Sequence, residues 1–156
     1  MATETHLSDL TRLVFGNLQD QHDWTNVEVV DDGKSRPRPI ITGLPPNRLY
    51  IHPDEQIEAL ELEQTTGKRP DQTPEFEWVL PVHLSEQWTL DSFATIFDSI
   101  DALPRRATTT AISDISSKRD WRGADRQKRL LLAVVHDDST VSYYLVHDGI
   151  VKPRQN

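Results

Sequence analysis

The stretch Leu130-Leu-Leu-Ala-Val-Val135, His136-Asp-Asp-Ser-Thr140, Val141-Ser-Tyr-Tyr-Leu-Val146, His147-Asp-Gly-Ile-Val-Lys-Pro153 decides the fold. Two short apolar runs separated by a few polar residues signal a β-hairpin. Along the first run Leu130, Leu132 and Val134 alternate with Leu131, Ala133 and Val135, and period-2 geometry sends the two sets to opposite faces of a sheet. A strand that is apolar on both faces belongs to a sheet covered on both sides. The core is therefore expected at the C-terminal end of the chain, with the acidic turn Asp137-Asp138 projecting from it.

Working outward, Leu10, Leu13, Val14 and Leu18 recur at helical spacing, with Ser8 as the expected cap and Asp9 in the first turn. Trp24 to Val30 reads as a strand with Val27 and Val29 on one face. Asp31 to Pro46 holds four prolines and two glycines, so it is expected to be a loop, with room for a short strand at Pro39–Thr42. Leu49-Tyr50-Ile51 reads as a short strand, and Pro53 suits the first position of a helix with Ile57 and Leu60 or Leu62 facing inward. Gln64 to Pro74 lacks apolar residues and reads as a linker. Phe76 to Leu84 is a strand with Trp78 and Leu80 opposite Val79. Thr89 caps a helix from Leu90 to about Ile100, with Phe93, Ile96, Phe97 and Ile100 on its apolar face. Ala107 to Ser117 is rich in Ser and Thr and reads as disordered, and Trp121 to Gln127 as a short helix. Helices and strands mix without strict alternation, which predicts an α+β domain with a small mixed sheet flanked by helices.

A length of 156 residues supports one domain with a core. The expected division is an N-terminal helix and tail over 1–23, then a single domain over 24–156 with flexible insertions at 64–74 and 104–120. The hydrophobic share of 36% and mean hydropathy of −0.58 are low, consistent with loop-rich segments. Cysteine is absent, which rules out disulfides and thiolate metal sites and suits a reducing compartment. No apolar run approaches the roughly 18 residues of a membrane span. Seventeen basic and 25 acidic residues give a net charge of −8, unfavourable for gripping RNA unaided. The charge is uneven. Pro104 to Arg129 carries eight basic and three acidic residues, a local +5, leaving nine against 22 elsewhere. This stretch reads either as a solvated loop and helix or as a surface for shared phosphate contact, with Arg119, Arg122, Arg126 and Lys128 as the candidate RNA contacts.

The C-terminal run closely resembles the signature of tRNA-splicing endonuclease subunits, in particular the small non-catalytic subunits of the eukaryotic Sen complex in their fungal form. Arg48-Leu-Tyr-Ile-His-Pro-Asp-Glu-Gln-Ile57 and Glu77-Trp-Val-Leu-Pro-Val-His-Leu84 add to the likeness. The resemblance runs from about Trp24 onward, interrupted at Gln64–Pro74 and Pro104–Gln127. It implies the nuclease-like fold of the endonuclease's C-terminal domain. It further implies that the acidic loop Asp137, Asp138, Ser139 and Thr140 inserts into a basic cleft on the opposite heterodimer. Tyr143, Leu145, Ile150 and Val151 would then pair with a catalytic partner. Taken alone, the same acidic turn is only a solvated loop, and the last strand could tuck against its own sheet.

Catalytic subunits of that family combine a Tyr general base, a His general acid and a Lys that stabilises the pentacovalent phosphate. Here Lys128 falls near the Lys position, but the nearest upstream His and Tyr are His83 and Tyr50, far from one another in sequence. Two of the three groups are therefore read as missing, and no catalytic residue is assigned. His52, His83, His136 and His147 lack metal-ligand spacing. Pro53-Asp54 and Pro70-Asp71 are followed by no Asp/Glu-x-Lys, and there is neither a Gly-rich phosphate loop nor a Gly-x-Ser-x-Gly elbow.

The expectation is a non-catalytic structural subunit of the heterotetrameric endonuclease. It would bind catalytic and structural subunits, and pre-tRNA only through the complex. No cofactor, metal or small-molecule ligand is expected, and the location would be the nucleus or the cytosolic face of mitochondria. The alternative is a stand-alone nucleic-acid-binding or degenerate nuclease domain using residues 104–129.

Overall fold

Leu10, Val14 and Leu18 recur every four residues, which aligns them on one side of a helix, and all three are buried. They lie on α1 (Glu4–Gln21), the first element of a computed structural model that describes residues 4–30, 38–68, 73–102, 104 and 127–149. The chain continues through β1 (Thr25–Val30), β2 (Ile40–Leu44), α2 (Pro53–Thr66), β3 (Glu77–His83), α3 (Leu90–Asp98), β4 (Arg129–Val135) and β5 (Val141–His147). The five strands form one sheet in the order β1-β2-β3-β4-β5. β3 and β4 run parallel and every other pair is antiparallel. A parallel pair needs a crossover, and α3 lies within it. This is the expected α+β fold with a mixed sheet.

Alternation along β3 and β4 divides the core in two. Val79, Ala133 and Val135 pack with Leu10, Val14, Leu18, Trp24, Val27 and Ile41 on the α1 face. Trp78, Leu80, Val82 and Leu130 pack with Ile40, Ile96, Phe97 and Ile100 on the α3 face. Thr89 caps α3 as expected, and Ser92 completes a capping box. Gly43 on β2 is required by packing, since a Cβ there would lie 2.9 Å from Trp24 Cε3.

Where β3 and β4 begin, the α1 face is ionic. Arg129 is 4% exposed, Glu77 1% and Glu75 8%, so all three charges are withdrawn from water. The Arg129 guanidinium donates to Glu77 Oε1 at 2.9 Å, Glu77 Oε2 at 2.7 Å and Glu75 Oε2 at 2.8 Å. Arg48 joins at 3.5 Å from Glu75 Oε1 and grips both oxygens of Glu55 on α2 at 2.7 Å. Burial disfavours the Arg129 cation, but the two glutamates outweigh it and raise its pKa.

Several expectations need correction. Ser8 does not cap α1, because the helix already runs from Glu4, and Asp9 lies beyond its first turn. Val29 lies on the β1 face shared with Val27 but is 45% exposed, β1 being an edge strand among the described residues. A register shift between Thr25 and Glu28 accompanies the positive φ of Asn26. Residues 49–51 form no strand, as the chain there crosses the sheet instead of extending it. Pro53 does start α2, and His52 Nδ1 accepts from the Asp54 amide as its cap. Ile57 and Leu60 nevertheless face outward, 45% and 54% exposed, whereas Leu62, the alternative inward position, is half-buried. Pro53 and the Arg48–Glu55 pair hold α2 to the domain in place of an apolar stripe. The helix also takes in residues 64–66 of the expected linker and ends at left-handed Gly67. The core is centred on β3 and β4. β5 is an edge strand among the described residues, and none of its side chains is fully buried. Most of the insertion at 104–120 and the expected helix at 121–127 lie outside the described residues.

Arg129→Leu leaves two buried carboxylates without their shared cation. Breaking a buried pair from one side commonly costs about 3–5 kcal/mol. The variant is expected to unfold at a markedly lower urea midpoint, read by circular dichroism. An unchanged midpoint would contradict the structural weight given to this cluster.

Candidate functional site

The β4–β5 connection is a short, heavily bonded loop. The His136 amide donates to the Thr140 carbonyl at 2.8 Å, and the Ser139 amide donates to the His136 carbonyl at 3.0 Å. Ser139 takes a left-handed φ of 69°, the geometry of a three-residue hairpin loop that closes on an αL residue. Asp138 Oδ1 accepts from the Thr140 amide at 3.1 Å and the Thr140 hydroxyl at 2.7 Å. Those two bonds hold its carboxyl below the ordinary aspartate range, so Asp138 is ionised well into acid. The Asp137 side chain is 91% exposed. Two carboxylates thus stand at the tip of a rigid hairpin, each with a defined local partner.

Asp137 is tied to the end of β3. His83 Nε2 lies 3.2 Å from Asp137 Oδ1. The Ser85 amide donates to His83 Nδ1 at 3.1 Å, which leaves Nε2 to carry the proton of the neutral ring. His83 and Asp137 thus form a close polar contact between the two segments. A backbone bond from the Leu84 amide to the Val135 carbonyl, 2.9 Å, joins the same two segments.

The expected pairing residues divide. Tyr143 faces α1, its hydroxyl donating to Asn17 Oδ1 at 2.5 Å and its ring meeting His22 edge-on. Burial pushes its phenol up to about 12. Leu145 is half-buried opposite Leu131 on the same face, whereas Tyr144 is 56% exposed on the other. Ile150 and Val151 lie outside the described residues, as do Arg119, Arg122 and Arg126. Lys128 gives its ammonium to the Phe97 carbonyl at 3.0 Å, where a cation meets the negative end of the α3 dipole. Arg129, the next cation of the basic stretch, is the buried one described above.

The structure brings Tyr50 and His147 together, their ring centroids 4.5 Å apart, with the Arg129 guanidinium 5.4 Å from the Tyr50 ring. Sequence reasoning missed this meeting because the two residues are distant along the chain and only the crossing of residues 48–52 over the sheet joins them. It makes a poor general base. The Tyr50 hydroxyl is buried without a hydrogen-bond partner, and burial raises its pKa despite Arg129. Alternation sends Lys128 to the opposite face of the sheet from Arg129 and His147. His83 pairs with Val135, at the far end of β4 from Lys128, roughly 20 Å away at about 3.3 Å per residue. Tyr50, His83 and Lys128 therefore do not converge. Among the described residues no group of three His, Cys, Asp or Glu could hold a metal ion, and no helix is long and apolar enough to cross a membrane.

Comparison with known proteins gives consistent matches. The family described as "Sen15 protein" matches residues 13–156. The "Probable tRNA-splicing endonuclease subunit tsp-1" of Neurospora crassa is 50% identical over 157 residues, covering 100% of this chain and 70% of the relative. The "tRNA-splicing endonuclease subunit SEN15" of Eremothecium gossypii is 30% identical over 96% of this chain and 93% of its own length. The "Probable tRNA-splicing endonuclease subunit sen15" of Schizosaccharomyces pombe is 28% identical over 83% and 69% respectively.

Tyr143 is expected to titrate at about 12 in an alkaline absorbance titration. Its raised folded value means that the stabilisation is complete below the unfolded pKa of about 10 and is lost as pH rises through the folded one. Tyr143→Phe should remove that transition and, by deleting one hydrogen bond, cost about 1 kcal/mol. Persistence of that transition in the variant would assign it elsewhere.

Proposed function

The chain belongs to the Sen15 protein family, and from that premise we propose that it serves in tRNA splicing as a non-catalytic, structural subunit of the heterotetrameric endonuclease. It pairs with a catalytic subunit along the β5 side and docks on the other heterodimer through the hairpin loop Asp137–Thr140. Pre-tRNA is met through the complex and not by this chain alone. The place of action is the nucleus or the cytosolic face of mitochondria.

The observation that carries this reading is the hairpin tip, where two carboxylates stand on a loop already fixed by internal hydrogen bonds. A preorganised loop loses little conformational entropy on insertion, and its charge selects a basic cleft and steers the encounter. The separation of Tyr50, His83 and Lys128 supports the non-catalytic part. The half-covered β5 edge, which is exposed at Tyr144, supports a partner there, since an unpaired strand edge is a ready template for another chain. Leu145, with Ile150 and Val151 beyond the described residues, belongs to that proposed side. Tyr143 would contribute by bracing β5 against α1.

The test is charge reversal at the tip. In an assembly co-expressed with the host's other endonuclease subunits, Asp137→Lys with Asp138→Lys should separate the tetramer into dimers while keeping the catalytic partner bound. Loss of one member of a close interfacial charge pair typically costs about 2–5 kcal/mol, enough to shift a sizing profile at micromolar concentration. A tetramer that survives in moderate salt defeats the docking role. The isolated chain should leave an intron-containing pre-tRNA uncut with or without magnesium, and cleavage abolished by Lys128→Ala would overturn the non-catalytic role.

A further inference from the structure

The parallel β3–β4 pair ends with two connections side by side: the hairpin loop after β4, and the turn after β3 that holds His83, Leu84 and Ser85. Leu84 is 54% exposed, yet its backbone is not free. Its amide is bonded to Val135, the last residue of β4. The turn around it is anchored from several sides. The His83 amide donates to Glu86 Oε2 at 2.6 Å and the Glu86 amide donates to the His83 carbonyl at 3.0 Å. Arg38 grips both Glu86 oxygens at 2.7 and 3.2 Å while its guanidinium lies 5.4 Å from the Trp88 ring. Burial alone would raise the Glu86 pKa, but Arg38 and the His83 amide reverse that and keep it ionised. The turn thus holds a large aliphatic side chain half out of the surface on a backbone fixed by several bonds, beside the acidic loop.

We infer that this turn is the second half of the docking surface, with Leu84 as an apolar anchor beside the acidic tip and His83 as the residue that positions the Asp137 carboxylate. The inference rests on the docking role proposed above and names the occupant as the same basic cleft on the opposite heterodimer. Interfaces of this kind concentrate their affinity in a few apolar anchors ringed by polar contacts. An acidic tip alone would give steering and selectivity, and Leu84 supplies the water-excluding contact that slows dissociation. His83 acts without touching the partner. Its Nε2 stands 3.2 Å from Asp137 Oδ1, close enough to favour one placement of that carboxylate, while Ser85 fixes the ring from the other side.

The experiment uses the four-subunit assembly and measures its dimer–tetramer dissociation constant by sedimentation. Asp137→Lys with Asp138→Lys is run first, as the test of the docking role. Leu84→Ala should then weaken the same equilibrium roughly tenfold, and Leu84→Asp should weaken it further. Both should leave the circular dichroism and melting of the isolated chain unchanged. His83→Phe should weaken assembly, and His83→Gln should restore it because an amide N–H can replace Nε2. If charge reversal divides the tetramer but both Leu84 variants leave the constant unchanged, the anchor is refuted while the docking role stands. If His83→Phe has no effect, or His83→Gln is as weak as His83→Phe, the positioning role is refuted. If charge reversal fails to divide the tetramer, the docking role falls and this inference falls with it.

Discussion

The parallel pairing of β3 with β4, closed at one end by the Arg129–Glu77 ion pair, is the constraint on which the rest of this structure depends. Parallel neighbours need a long connection, and one step of slippage would reverse every side chain on both faces. Here the register sets Val79 beside Leu131 and Pro81 beside Ala133. Arg129 and Glu77 each lie two residues before the first of those pairs. Apolar contacts alone would tolerate a shift of two residues in β4, since Leu, Leu, Ala and Val are interchangeable in kind. A buried cation with its carboxylates would not, because the slipped state strands charges away from water. The ion cluster is thus the element that most sharply selects one alignment.

From that alignment follows the position of the candidate site. Strands that run the same way finish at the same end of the sheet. The turn after β3 and the hairpin after β4 therefore emerge together, and His83 meets Asp137 across them. The other end of the pair is filled by the Arg48, Glu55, Glu75, Glu77 and Arg129 network, with Tyr50 beside Arg129 and meeting His147 edge-on. One end of the sheet is closed on itself by paired charge. The opposite end offers exposed carboxylate to solvent, and this polarity gives the acidic tip its direction.

The placement of cations and anions also explains how an acidic protein can serve in an RNA-processing assembly. Of the basic stretch before β4, Arg129 is consumed in the core and Lys128 at the end of α3. The exposed carboxylates of the hairpin are better suited to a basic protein surface than to a phosphate backbone, which would repel them.

The sequence by itself determined the elements whose cause is local. Alternation in Leu130–Val135 gave two-faced burial, helical spacing gave the buried sides of α1 and α3, and Thr89 and Pro53 marked helix starts. The acidic hairpin was legible for the same reason, since a turn between two apolar runs is written in consecutive residues. What only tertiary structure decided depends on partners remote in the chain. Arg129 reads as a surface cation until Glu75 and Glu77 are brought beside it. Leu60 reads as core until α2 is found held by Arg48 and Glu55 at its inner side. Tyr50 and His147 meet only because the chain crosses the sheet near residue 50. His83 becomes part of the acidic site only because β3 and β4 run in the same direction. Periodicity records which way a side chain points relative to its neighbours in sequence. It carries no record of what stands opposite, and the energy of a buried charge is set almost wholly by that.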